Sequence, residues 1–187
     1  MSFDITVIGA AIIDILASPV TEGVFSSGSI PMDTIKMSFG GDALNETLIL
    51  SKLGKRVQLI SKVGNDEAGK RILGMLREQN ISVDRVVVQE NLSTGINIVL
   101  IDEKGERHFL TDPNSSLRKL ELQDIQSFLG DMAEIVSFAS MFVSPLMTIS
   151  RMKELFSSIK EQGKILAVDM TKAKNGEKSA ILQNFFL

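Results

Sequence analysis

Asp14 stands at the end of the apolar run Phe3–Ile13, where a carboxylate can accept hydrogen bonds from two adjacent hydroxyls of a polyol. The same residue can equally cap a turn or a helix. Further on, Gly40 and Gly41 open the stretch Gly-Gly-Asp-Ala-Leu-Asn. A glycine pair at a helix start lets a ligand approach backbone N–H groups that also carry the helix's positive end, although most such pairs only turn the chain. Asn45, in the first turn of that helix, adds donors and an acceptor at a fixed offset, which makes the pattern more specific. Ser144 and Asp169 also follow apolar segments, and ligands of open α/β sheets bind beyond the carboxyl ends of the strands.

Other chemistries are excluded or disfavoured by what the sequence contains. Its 187 residues include no cysteine and one histidine, His108, so disulfides, thiolate metal sites, cysteine nucleophiles and multi-histidine zinc sites are ruled out. A Ser-His-Asp triad rests on that single residue. Gly9-Ala10-Ala11 lacks the glycines of a dinucleotide fingerprint, and no P-loop pattern occurs, which argues against a dinucleotide-dependent oxidoreductase. A formal net charge of −3 argues against a nucleic-acid partner. The N-terminus has no basic region before its apolar stretch, and no run approaches the ~20 apolar residues of a spanning helix, so no membrane partner and a cytoplasmic location are expected.

The elements that must position these residues alternate between strands and helices. Phe3–Ile13 reads as one strand buried on both faces of a parallel sheet. A helix is expected over residues 41–53, stopped by Gly54. Val57–Val63 reads as a strand, residues 66–79 as a helix capped by Asn65 or Asp66, and Val83–Val88 as a strand. The rhythm resumes with a helix over 121–129, a strand over 135–143, a helix over 148–161 and a strand over 164–168. Such alternation implies right-handed βαβ units. Two stretches differ, at about residues 15–39 and 93–111. The second alternates on both sides of Asp102-Glu103-Lys104-Gly105, a hairpin signature, and both look like antiparallel strands hung on the α/β core. The apolar end Asn184-Phe185-Phe186-Leu187 suggests the first part of a longer α/β protein, or a partner chain over this edge.

Taken together, these residues resemble the N-terminal portion of the ribokinase-like, PfkB-type carbohydrate kinases. The matching segments are Asp14 after the first strand, Gly40-Gly41-Asp42-Ala43-Leu44-Asn45, Val63-Gly64-Asn65-Asp66-Glu67-Ala68-Gly69, Ser93-Thr94-Gly95 and Gly105-Glu106-Arg107. They fall in family order across nearly the whole chain. The resemblance implies a doubly wound, mostly parallel sheet with a small antiparallel β lid, residues 1–187 forming a partial domain whose C-terminal part is missing. It also implies transfer of the γ-phosphoryl group of ATP, with Mg²⁺, to a hydroxyl of a small sugar or nucleoside, under a lid that excludes water and in many relatives forms a dimer contact. Carried over by residue, Asp14, Gly40, Gly41 and Asn45 would contact the substrate. Asn97 would face it from the lid, its alternative being a polar residue on the hairpin's solvent face. Lys172 would steady a phosphate, its alternative being a solvated loop lysine.

The late glycine-rich turn ending in Asp, which supplies the family's catalytic base and anion hole, has no counterpart here. No catalytic residue and no metal ligand is therefore expected in this chain, which alone should neither turn over nor bind ATP and Mg²⁺. A non-catalytic carbohydrate-binding or dimerisation module is the alternative.

Overall fold

The structure, a computed structural model, describes residues 2–171. Apolar strands, the central ones covered on both faces, build its first sheet. This sheet is parallel, in the order β5-β4-β1-β8-β9, from β1 (Ile5–Ile8), β4 (Val57–Gly64), β5 (Val86–Gln89), β8 (Ile135–Phe138) and β9 (Ile165–Val168). Successive residues point to opposite faces, so Val7 and Leu59 pack under α1 (Asp42–Lys52) and α2 (Glu67–Glu78). Their neighbours Ile8 and Ile60 pack with α3 (Leu122–Gln126) and α4 (Ile149–Glu161). Helices on both faces make the sheet doubly wound, as the alternation of elements implied.

The opening apolar run is not one strand. It is broken at Gly9-Ala10-Ala11 and continues as β2 (Ile12–Ser18) in a second sheet, so Asp14 lies inside β2 and not after the first strand. Gly9 permits the crossing: its φ is 149°, and a Cβ there would lie 3.0 Å from both the Ala139 carbonyl oxygen and the Ala43 Cβ. The second sheet has the order β3-β2-β6-β7, with β3 (Thr34–Gly40), β6 (Ile96–Ile101) and β7 (Arg107–Thr111). Its outer pairings are antiparallel, but β2 and β6 run parallel, so the lid is mixed rather than wholly antiparallel. The parallel pairing arises because the chain visits α1, β4, α2 and β5 before returning to the lid. Elsewhere the expected elements shorten. The helix over 121–129 closes at Gln126 and is followed by a 3₁₀ turn at Leu129–Asp131, and the strand over 135–143 stops at Phe138. Asn184-Phe185-Phe186-Leu187 lie outside the described residues.

Two polar clusters tie the layers together. Lys62 on β4, its side chain 3% exposed, sits 2.6 Å from an Asp124 carboxylate oxygen on α3 and 3.6 Å from Glu121. Asp66 caps α2 by accepting from the Gly69 N–H at 2.8 Å, and the same carboxylate accepts from the Thr94 N–H at 2.8 Å and the Thr94 hydroxyl at 2.6 Å. A helix cap is thus also the clasp that holds the start of β6, and with it the lid, to the core. Burial works to raise the Asp66 carboxyl, but the Thr94 and Gly69 donors outweigh it and hold the group below the usual carboxylate value.

Asp66→Ala is accordingly expected to cost about 2–3 kcal/mol, combining a lost cap with lost bonds to a charged acceptor. Since its folded value is depressed, this contribution is present above pH ~4 and fades as pH falls through the folded value. Denaturant titrations of parent and variant check both points: the gap between them should narrow on acidification.

Candidate functional site

Beyond the carboxyl ends of β1, β8 and β9 the chain lays down Ala10, Ser140 and Thr171, and the lid sheet stands over them. Between the two lies a cavity of about 610 Å³, whose lining includes Asp14, Gly41, Asp42, Asn45 and Asn97. That volume suits a small polar ligand. Asp14 and Asn45, 31 positions apart in sequence, reach it from the lid and from the first turn of α1.

Asp14 and Asn97 are direct partners in the β2–β6 register, in a row that runs Ser38, Asp14, Asn97, Thr111 across all four lid strands. The Asn97 amide donates to an Asp14 carboxylate oxygen at 3.1 Å. Its own oxygen is buried with no partner among the described residues, and the residue as a whole is 7% exposed. An orphaned acceptor beside a half-buried carboxylate has the capacity to accept from hydroxyl donors. Gly40 does not line the cavity. A Cβ there would overlap the Asp14 carboxylate, so this glycine makes the room in which Asp14 turns inward. Gly41 does line it; with φ of 90° and the Ala10 carbonyl where a side chain would begin, this position requires glycine.

Burial is the main cause that raises the Asp14 carboxyl above its ordinary value, with Asp42 adding to it and Asn97 and Arg107 opposing it. Burial likewise raises Asp42, followed by the charge of Asp169. A carboxylate that must be ionised to accept two hydroxyls loses the ligand when protonated. Ligand affinity is therefore expected to fall as pH drops through the raised Asp14 value, binding on the acid side being accompanied by release of one proton. Calorimetric titration at stepped pH would read this directly.

Several lining residues escape sequence reasoning. Asp42 accepts from the hydroxyl of Ser140, a residue held at φ of 55° just past β8. Arg107, Phe109 and Thr111 share one face of β7, and Arg118 follows in the 3₁₀ turn Ser116–Arg118. The alternation of the hairpin carries the signal for the first three, once the register with Asn97 is known. Nothing comparable marks Ser140. Ser144 lines an adjoining cavity, not this one, and Asp169 borders a groove shared with Asp42 and Asn45. Lys172 lies outside the described residues.

Asp42 and Asp169 place two neighbouring carboxylates at the strand ends, and the twin glycines are taken up by close approach to Asp14 and Ala10.

Comparison with known proteins places the fold. A Haemophilus influenzae 2-dehydro-3-deoxygluconokinase is 25% identical over 149 residues, covering 74% of this chain and 48% of the relative. The solved structure of an uncharacterized sugar kinase from Pyrococcus horikoshii in complex with ATP superposes with a TM-score of 0.77 at 24% identity, covering 96% of this chain and 58% of the other. A Xylella fastidiosa fructokinase structure gives a TM-score of 0.73 at 23% identity, covering 95% and 56%. The chain thus spans about half the length of these relatives. The family model described as pfkB family carbohydrate kinase matches residues 2–185. A doubly wound sheet, a second four-stranded sheet standing over its strand ends and a match across nearly every residue lead to one conclusion: the chain belongs to the pfkB family of carbohydrate kinases.

Proposed function

We propose that residues 1–187 form a partial ribokinase-like domain, the acceptor-binding and lid half of a kinase that transfers the γ-phosphoryl group of ATP to a hydroxyl of a small sugar or nucleoside. The observation that carries this reading is the convergence of Asp14, Asn97, Asn45 and Gly41 on one cavity. Asp14, ionised, accepts from vicinal hydroxyls, while Asn97 offers its unpaired oxygen and Asn45 its amide. Such positioning supplies much of the rate in phosphoryl transfer, because it fixes the attacking oxygen before the reaction begins.

ATP and Mg²⁺ belong to the longer protein, whose remaining half supplies the catalytic base and the anion hole; this chain alone gives no turnover. In that protein a coupled assay should show ADP release that depends on a sugar or nucleoside. Absence of stimulation by any member of a broad panel would reject the kinase reading.

The lid supports a second element of the proposal, pairing of two copies. On the face opposite the cavity, Met37, Ile15, Ile98 and Leu110 form one register row, and Met37, Ile98 and Leu110 are 50%, 42% and 53% exposed. Ile35 extends this apolar surface. Light scattering should find a dimer that Ile98→Asp converts to monomer; a parent that is monomeric at every concentration would remove this element.

A further inference from the structure

Two arginines line the cavity without a close ion pair among the described residues. Arg107 reaches it from β7 and Arg118 from the 3₁₀ turn that follows. Arg118 spends one N–H on the Val143 carbonyl at 2.7 Å, which fixes the half-buried side chain and leaves its remaining donors uncommitted. The carboxylates of the cavity come from other elements: Asp14 from β2, engaged with Asn97, and Asp42 from α1, engaged with Ser140. Asp14 and Arg107 attract each other without forming a close pair. Neutral hydroxyls satisfy Asp14 and Asn97 but give neither the exposed Arg107 nor the half-buried Arg118 a charged partner. Planar guanidinium groups recognise carboxylates and phosphates through paired, charge-assisted hydrogen bonds.

Building on the sugar-kinase reading, we infer that the acceptor carries an anionic group, a carboxylate or a phosphate, which Arg107 and Arg118 select while Asp14, Asn45 and Asn97 read its hydroxyls. The two arginines are thus specificity determinants, and the acceptor is a sugar acid or a sugar phosphate rather than a neutral sugar.

Calorimetry on this chain and on the longer protein, with a neutral hexose, an aldonic acid and a hexose monophosphate as probes, tests the inference and separates the two anion sources. At least one anionic probe should bind more than about tenfold tighter than the neutral hexose, with an affinity that weakens as salt is added. Arg107→Gln and Arg118→Gln should each shrink that preference about tenfold, Arg107→Lys should restore part of it, and Lys104→Gln at the hairpin tip should leave it alone. A neutral hexose bound as tightly as both anions, a preference unchanged in both glutamine variants, or no binding of any probe would overturn the inference. Its failure is distinct from failure of the kinase reading. Arginine-dependent anion binding without ADP release by the longer protein would sink only the kinase assignment, whereas ADP release with neutral sugars alone would sink only the anion assignment.

Discussion

Replacing Asp14 with alanine is expected to lower kcat/KM for the acceptor about 10²–10⁴-fold in the longer protein, since two charge-assisted hydrogen bonds worth about 1.5–3 kcal/mol each are lost. Folding should not suffer in parallel. The Asp14 carboxyl is raised chiefly by burial, so its ionised form costs stability at neutral pH, a cost relieved as pH falls through the folded value. Asp14→Asn keeps the shape, removes the desolvated charge and brings an amide donor next to the unpaired Asn97 oxygen. That variant should melt at or above the temperature of the parent while losing most of its acceptor affinity, the opposed pair of effects expected of a residue kept for binding. Thermal melts and acceptor titrations on the same preparations would check it. A variant that melts well below the parent would assign Asp14 a structural role instead.

The second large effect concerns Lys62 and Asp124. Asp124→Ala is expected to destabilise the chain by about 3–5 kcal/mol, because it strips the close partner from an ammonium almost wholly removed from solvent. Glu121, at 3.6 Å and more exposed, replaces only part of that interaction. A chain of this size should then melt roughly 10 °C lower. The double variant Lys62→Met with Asp124→Leu removes both charges and keeps the volume, so it should recover all but about 1 kcal/mol, the residue being the lost bond from the Glu121 N–H to Asp124. Chemical denaturation of the two variants decides the matter; equal losses in both would mean that the pair is not a coupled unit.

Much of this molecule is legible in its amino-acid pattern. Val57–Gly64 is buried at every position because both faces of its parallel sheet are covered, although Gln58, Ser61 and Lys62 interrupt its apolar residues, and Asp66 announces a helix start by its chemistry. The same continuity hides the crossing at Gly9-Ala10-Ala11. In a nearly continuous apolar run Gly9 is the only mark where the chain leaves one sheet for another, so Asp14 read as a strand end although it lies within β2. Gly40 shows the complementary limit. Its type signals close approach, but only the fold shows that the approaching group is the Asp14 carboxylate rather than a ligand. Arg118 and Ser140 enter the cavity from irregular segments, where no periodicity indicates which way a side chain points.

The measurement that bears most directly on the site is an amide-detected NMR titration of this chain with sugars and sugar acids. The account predicts that the Gly41 N–H and the side-chain amides of Asn45 and Asn97 shift together along one binding curve, and that Asp14→Ala abolishes all three responses. Shifts clustered at another surface, or separate curves for Asn45 and Asn97, would contradict it.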